Sequence, residues 1–284
     1  MPGRLPLAVL AVIGLGAALP VLAGAPAGQD PGQFGATAGL TVTPVFEGWY
    51  PNPDGSISLS FGYFNRNRTE AVEVAVGPDN LIEPGPGNQG QPTRFEPGRH
   101  WGVFAVTVPG GSPDREVTWT LAVRGERFRI PGHQKPNWRI DALEGEAGSG
   151  NTPPVLRFRE DGPEGAGPRG IIGDSRTATP GMPFDVTVWA RDDGRPSTSV
   201  VSGGRQAVPV SLRWFKHQGP GEVTFATPSA RVPVTGDSAT TSVTIAEPGE
   251  YVLRVRANDA SGVSGAGHAQ CCWTNGFVKV TVGR

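Results

Sequence analysis

The sequence predicts an all-β protein in which two β-sandwiches stand in tandem behind a signal peptide. Three observations carry that expectation. The chain opens with Arg4 and then runs apolar from Leu5 to Ala23 before small residues follow, the pattern of a secretory signal. Beyond it lie two series of short apolar runs, many alternating with period two, and none shows the period of an amphipathic helix. The 42 glycines and 29 prolines mostly fall between those runs, where they mark turns rather than a disordered chain.

Taken in order, residues 1–27 are the signal segment, with cleavage after Ala23 or Ala27; an uncleaved anchor is the competing reading, disfavoured by Pro6 and Pro20. Residues 28–37 form a linker rich in Gly, Ala and Gln. The first sandwich is expected over 38–130. Its runs are Leu40–Phe46, Ser56–Phe64, Ala71–Val76, Trp101–Val108, Val117–Val123 and Arg127–Ile130. Asp54 and Gly55 suit a turn before the second run, and Pro78–Pro97 reads as one long loop. Residues 131–153 are a connector. The second sandwich is expected over 154–284, with runs Val155–Phe158, Phe184–Ala190, Val208–Phe215, Glu222–Phe225, Ala239–Ile245, Glu250–Ala257 and Gly276–Val282.

Charge is nearly balanced. The formal net charge is -1, and removal of Arg4 with the signal brings it to -2. No basic stripe suggests nucleic acid, and nothing after the signal is apolar enough to span a membrane. Catalytic signatures are missing: there is no phosphate loop, nucleophile elbow or zinc-protease helix motif.

The second half resembles the PKD-like, immunoglobulin-type repeat of bacterial surface proteins. The resemblance is carried by NTPPV (Asn151–Val155), VTVWARDDGRP (Val186–Pro196), LRW (Leu212–Trp214), GPG (Gly219–Gly221) and PGEYVLRV (Pro248–Val255), followed by Asn258, Asp259 and Gly262. It implies an immunoglobulin-like sandwich acting as a spacer or binding module, with Trp214 as the buried tryptophan of the third strand. The segment from His268 to Trp273 departs from the pattern. The whole chain also resembles an uncharacterised exported bacterial family, which implies no activity.

In such a sandwich the loops after the second and sixth strands meet at one pole, where the first domain is expected to attach. Asp192, Asp193, Asn258 and Asp259 would gather there, either as a calcium site or as turn caps bonding nearby backbone. Cys271 and Cys272 are the chain's only cysteines, and adjacent residues cannot staple two sheets. They form a strained vicinal disulfide, a free dithiol, or, with His268, a copper or zinc site. Trp49, Tyr50 and Trp273 could offer flat faces to a sugar, or pack against long loops.

The expectation is therefore a noncatalytic binding or structural module, periplasmic, at the cell surface or extracellular, with a protein or glycan of the cell envelope as partner. The alternatives are a metal-binding or redox protein centred on the cysteines, and a carbohydrate-binding module.

Overall fold

The computed structural model describes residues 3, 37–111, 115–140, 151–195, 208–259 and 272–283. The described chain is an all-β sandwich protein. Its one helical element among those residues is a 3-10 turn at Pro136–Trp138.

The first half builds two facing sheets. One holds β1 (Val42–Pro51), β2 (Ile57–Asn65) and β6 (Gly98–Val108) in the order β1-β2-β6. The other holds β4 (Asn80–Glu83), β7 (Val117–Val123) and β8 (Glu126–Gly132) in the order β4-β7-β8. A short pair, β3 (Val72–Glu73) and β5 (Arg94–Phe95), lies beside them. All these pairings are antiparallel. Alternate side chains point inward, so Leu59, Phe61, Phe104, Ile82, Trp119 and Leu121 share one core. Trp119 donates its indole N–H to Asn80 Oδ1 at 3.0 Å, which satisfies the ring's polar edge inside that core.

The stretch read as one loop, Pro78–Pro97, contains both β4 and β5. Four- and two-residue strands leave no periodic signal against so much Gly and Pro. Asn80 holds this segment in place, donating to the Val74 and Pro92 carbonyls at 3.0 and 2.8 Å.

Among its described residues the second half has eleven strands. They are β9 (Val155–Arg157), β10 (Gly165–Ala166), β11 (Ile171–Ile172), β12 (Arg176–Ala178), β13 (Phe184–Arg191), β14 (Val210–Gln218), β15 (Val223–Phe225), β16 (Ser229–Val232), β17 (Asp237–Ile245), β18 (Gly249–Asn258) and β19 (Trp273–Val282). One sheet runs β10-β9-β13-β17-β15, and the other runs β11-β19-β18-β14-β16 with β12 also on β19. The chain starts in the first sheet, then crosses so that β11 and β12 pair parallel to the final strand. This order, with β9, β13 and β17 in one sheet and β14, β18 and β19 in the other, is that of immunoglobulin-like sandwiches. Trp214 on β14 is buried among Val188, Leu212, Leu253 and Val255 in the core between the sheets.

The two halves meet along a sheet face, not only at a pole. On β14, Val210, Leu212 and Trp214 face the core, so Arg213, Phe215 and His217 face away from it. On β18 and β19 the same alternation turns Arg254, Arg256, Trp273, Asn275 and Phe277 outward. Phe215, Trp273 and Asn275 need cover, and β6 of the first half supplies it.

Candidate functional site

The joint between the halves is built by irregularities in the first sheet. Between the pairs Phe61 with Phe104 and Tyr63 with His100, strand β2 has one residue and β6 has three. The surplus makes a bulge, which pushes Trp101, Gly102 and Val103 out of the ladder. Gly102 has φ +55°, and a Cβ there would lie 2.4 Å from the Trp273 ring. Glycine is needed at that point on both counts. The Gly102 carbonyl accepts the Trp273 indole N–H at 3.2 Å and the Asn275 side-chain N–H at 2.7 Å. The Val103 carbonyl accepts Arg254 Nη1–H at 3.2 Å.

Behind the bulge sits Glu47, fully buried. It accepts the Gly102 N–H and Arg99 Nη2–H, each at 2.6 Å. Gly62 makes room for it, since a Cβ there would fall 2.2 Å from Glu47 Oε1. Burial outweighs the neighbouring Arg99 charge and raises the Glu47 carboxyl to about 7.

Farther along the face, the backbone itself crosses the joint: Thr93 N–H donates to the His217 carbonyl at 2.8 Å. His217 Nε2 lies 2.7 Å from the Gly90 carbonyl, and Gln218 donates to the Gln91 carbonyl at 2.6 Å. Burial drives His217 down to about 3 and His100, stacked edge-on to Phe215, down to about 4. Both imidazoles are therefore neutral at physiological pH, and the carbonyl beside each ring fixes the protonated nitrogen as a donor. Charged groups close the rim. Buried Lys216 pairs with Glu73 at 3.0 Å, and Arg94 bridges Glu73 at 2.9 Å to Glu222 at 2.7 Å. Arg169 pairs with Asp54 at 2.9 Å.

The residues singled out in the sequence fall as follows. At the pole, Asp193 accepts the Thr152 N–H at 3.2 Å, its hydroxyl at 2.8 Å and the Arg195 N–H at 2.8 Å. Asp192 accepts the Gly194 N–H at 2.9 Å, and Asp259 accepts an Asn151 side-chain N–H at 2.7 Å. Desolvation, with Asp259 and Asp193 nearby, raises Asp192 to about 6. Asp192, Asp193 and Asp259 are thus near one another, and the carboxylates of Asp193 and Asp259 tie residues 151–152 to the two loops. Among the described residues no three His, Cys, Asp or Glu side chains converge to hold an ion. Asn258 lines a cleft considered below.

Cys272 is fully buried and disulfide-bonded, which leaves thiolate chemistry to a reduced state. Cys271 and His268 lie outside the described residues. Tyr50 and Trp273 are buried with Ile140 in a small cluster flanked by Trp101. Trp49 is half-buried and donates its indole N–H to the Lys135 carbonyl at 2.8 Å.

Sequence reasoning missed Glu47, Lys216, His217, Arg254 and Asn275, because a polar residue alternating with core residues reads as solvent-facing. One signal was present: Phe215, Trp273 and Phe277 sit at the same outward positions as those polar groups, and a solvated face rarely carries three such rings.

No family model matches the sequence, and no curated protein matches it. Among solved structures, the D00-D0 domain of intimin is 11% identical, with a TM-score of 0.26 over 86% of this chain and 100% of that one. The Yersinia pseudotuberculosis adhesin InvE is 13% identical, with a TM-score of 0.27 over 86% of this chain and 58% of that one. The titin domains Z1Z2, solved with telethonin, are 11% identical, with a TM-score of 0.23 over 85% and 98%. The fold assignment rests on the strand order, not on these distant likenesses.

Proposed function

We propose that this chain is an exported, noncatalytic structural or binding module, residues 38–130 and 154–284 forming two immunoglobulin-like domains held as one rigid body. The observation that carries the reading is the joint. Four side chains of the second half, Lys216, His217, Arg254 and Asn275, are buried, and each has a hydrogen-bond partner in the first half. Opening it would exchange those bonds for bonds to water, at a net cost of about 0.5–1.5 kcal/mol each, and would expose the Trp273 ring. A swinging linker would not need such pairing. Export is supported by the apolar leader after Arg4, a segment outside the described residues; among the described residues no helix is long and apolar enough to cross a membrane.

Rigidity is tested by electron–electron distance measurements between spin-labelled unnatural residues replacing exposed Glu126 and Asp185, one in each half. A single narrow distance distribution is expected. A distribution tens of ångströms wide would sink the proposal.

A further inference from the structure

At the pole end of the joint lies a cleft of about 660 Å3 whose walls include Arg99, His100, Trp101, Arg213, Phe215 and Arg256. Its electrostatics are one-sided. The guanidinium carbons of Arg213, Arg254 and Arg256 stand 5.3, 4.5 and 5.8 Å from the centre of a single ring, Phe215. Cation–π contact offsets part of their crowding but supplies no counter-charge. Arg99 is paired to Glu47 at 2.6 Å, and the one acidic wall residue, Glu96, is paired to Arg94 at 2.6 Å. No carboxylate pairs with Arg213, Arg254 or Arg256 among the described residues. The Nε atoms of Arg254 and Arg256 are buried and have no hydrogen-bond partner there. Burial, then the neighbouring arginine charge, pushes Arg254 down to about 9 and Arg256 down to about 10. Both stay charged at neutral pH, so among the described residues three crowded cations share only the through-space pull of Glu47, which is hydrogen-bonded to Arg99 and Gly102.

We propose that this cleft binds a tetrahedral oxyanion, a phosphate or sulfate group, between the guanidiniums of Arg213 and Arg256. Guanidinium forks suit such oxygens, and several donors around one site favour a tetrahedral anion over a planar one. The cleft is larger than one ion fills, so the group arrives on a larger ligand, with Trp101 and Phe215 as apolar walls. Asn258 completes the lining on the second-half side. The inference does not depend on the module being structural.

The test is calorimetric titration of the full chain at fixed ionic strength with sodium phosphate, sodium sulfate, glucose 6-phosphate and glucose. Saturable one-to-one binding of the anionic probes, and none of glucose, is expected. Glucose 6-phosphate binding more tightly than phosphate assigns the group to a larger ligand, whereas equal affinities assign the free ion; both keep the site. Arg213→Gln, at an exposed position, should weaken binding at least tenfold while raising the Tm of the anion-free protein by relieving repulsion. Arg127→Gln, outside the cleft and paired with Asp79 at 2.9 Å, should change neither. The proposal is overturned if the wild type binds none of the anions saturably, or if Arg213→Gln binds them as tightly as the wild type.

Discussion

Acid should loosen this protein through two histidines, and the size of the effect follows from their surroundings. His217 titrates near 3 and His100 near 4 in the folded chain because both are buried neutral. In the unfolded chain each titrates near its ordinary value of about 6.5. Below that value the unfolded state binds protons that the folded state refuses, so stability is full above about 6.5 and falls with pH. Between pH 6.5 and 5 each histidine costs about 1.6 kcal/mol, together about 3 kcal/mol. Glu47 works the other way. Its folded value of about 7 stands above the ordinary 4.5, so over the same window the folded state gains a proton the unfolded state lacks. That returns about 1.7 kcal/mol, and half-buried Asp192, raised to about 6, returns up to about 1 kcal/mol more by the same sign, leaving a net loss under about 1 kcal/mol. The assay is urea unfolding at pH 6.5 and 5. The wild type should lose under about 1 kcal/mol on acidification, and the double variant His100→Gln, His217→Gln should gain stability, since Glu47 and Asp192 then act unopposed. Identical pH slopes in the two proteins would refute the reasoning.

Other perturbations have definite expected outcomes. Trp273→Ala removes a fully buried ring from the joint and should cost about 3–5 kcal/mol by chemical denaturation. Gly102→Ala places a methyl against that ring at a φ of +55° and should cost about 1–3 kcal/mol, largely relieved when Trp273→Ala is added, as a double-mutant cycle would measure. Trp214→Ala should also cost about 3–5 kcal/mol; a loss under about 1 kcal/mol would mean that the third strand of the second half is misplaced. Glu73→Ala leaves the buried Lys216 ammonium without its partner and should cost about 1–3 kcal/mol, whereas removing exposed Asp79 from its surface pair should be nearly silent in the same assay.

How much was readable beforehand depended on whether a residue's partner was near in sequence. Long strands were legible: the run Ser56–Phe64 became β2 at Ile57–Asn65, and Glu250–Ala257 became β18 at Gly249–Asn258, because alternation is set within a single strand. Trp214 was readable as core for the same reason. Strands β4 and β5 were not, being too short to show a period. The joint was invisible because its partners are distant: Trp273 meets Gly102 across 171 positions, and His217 meets Gly90 across 127. A bulge made by three residues against one leaves no mark on composition, so Gly102 read as an ordinary member of the Trp101–Val108 run. The proximity of Asp192 and Asp193 to Asp259 follows from topology, since strand order brings those loops to one pole. The arginine cleft was not readable, since Arg213, Arg254 and Arg256 each look like an ordinary outward residue until the opposite wall is in place.

That the two sandwiches stand and fall as one body is tested most directly by differential scanning calorimetry of the mature chain. A single transition is expected, with calorimetric and van't Hoff enthalpies in a ratio near one, and Gly102→Ala should lower it as a whole. Two separated transitions, of which Gly102→Ala shifts only the one belonging to the first half, would contradict the account.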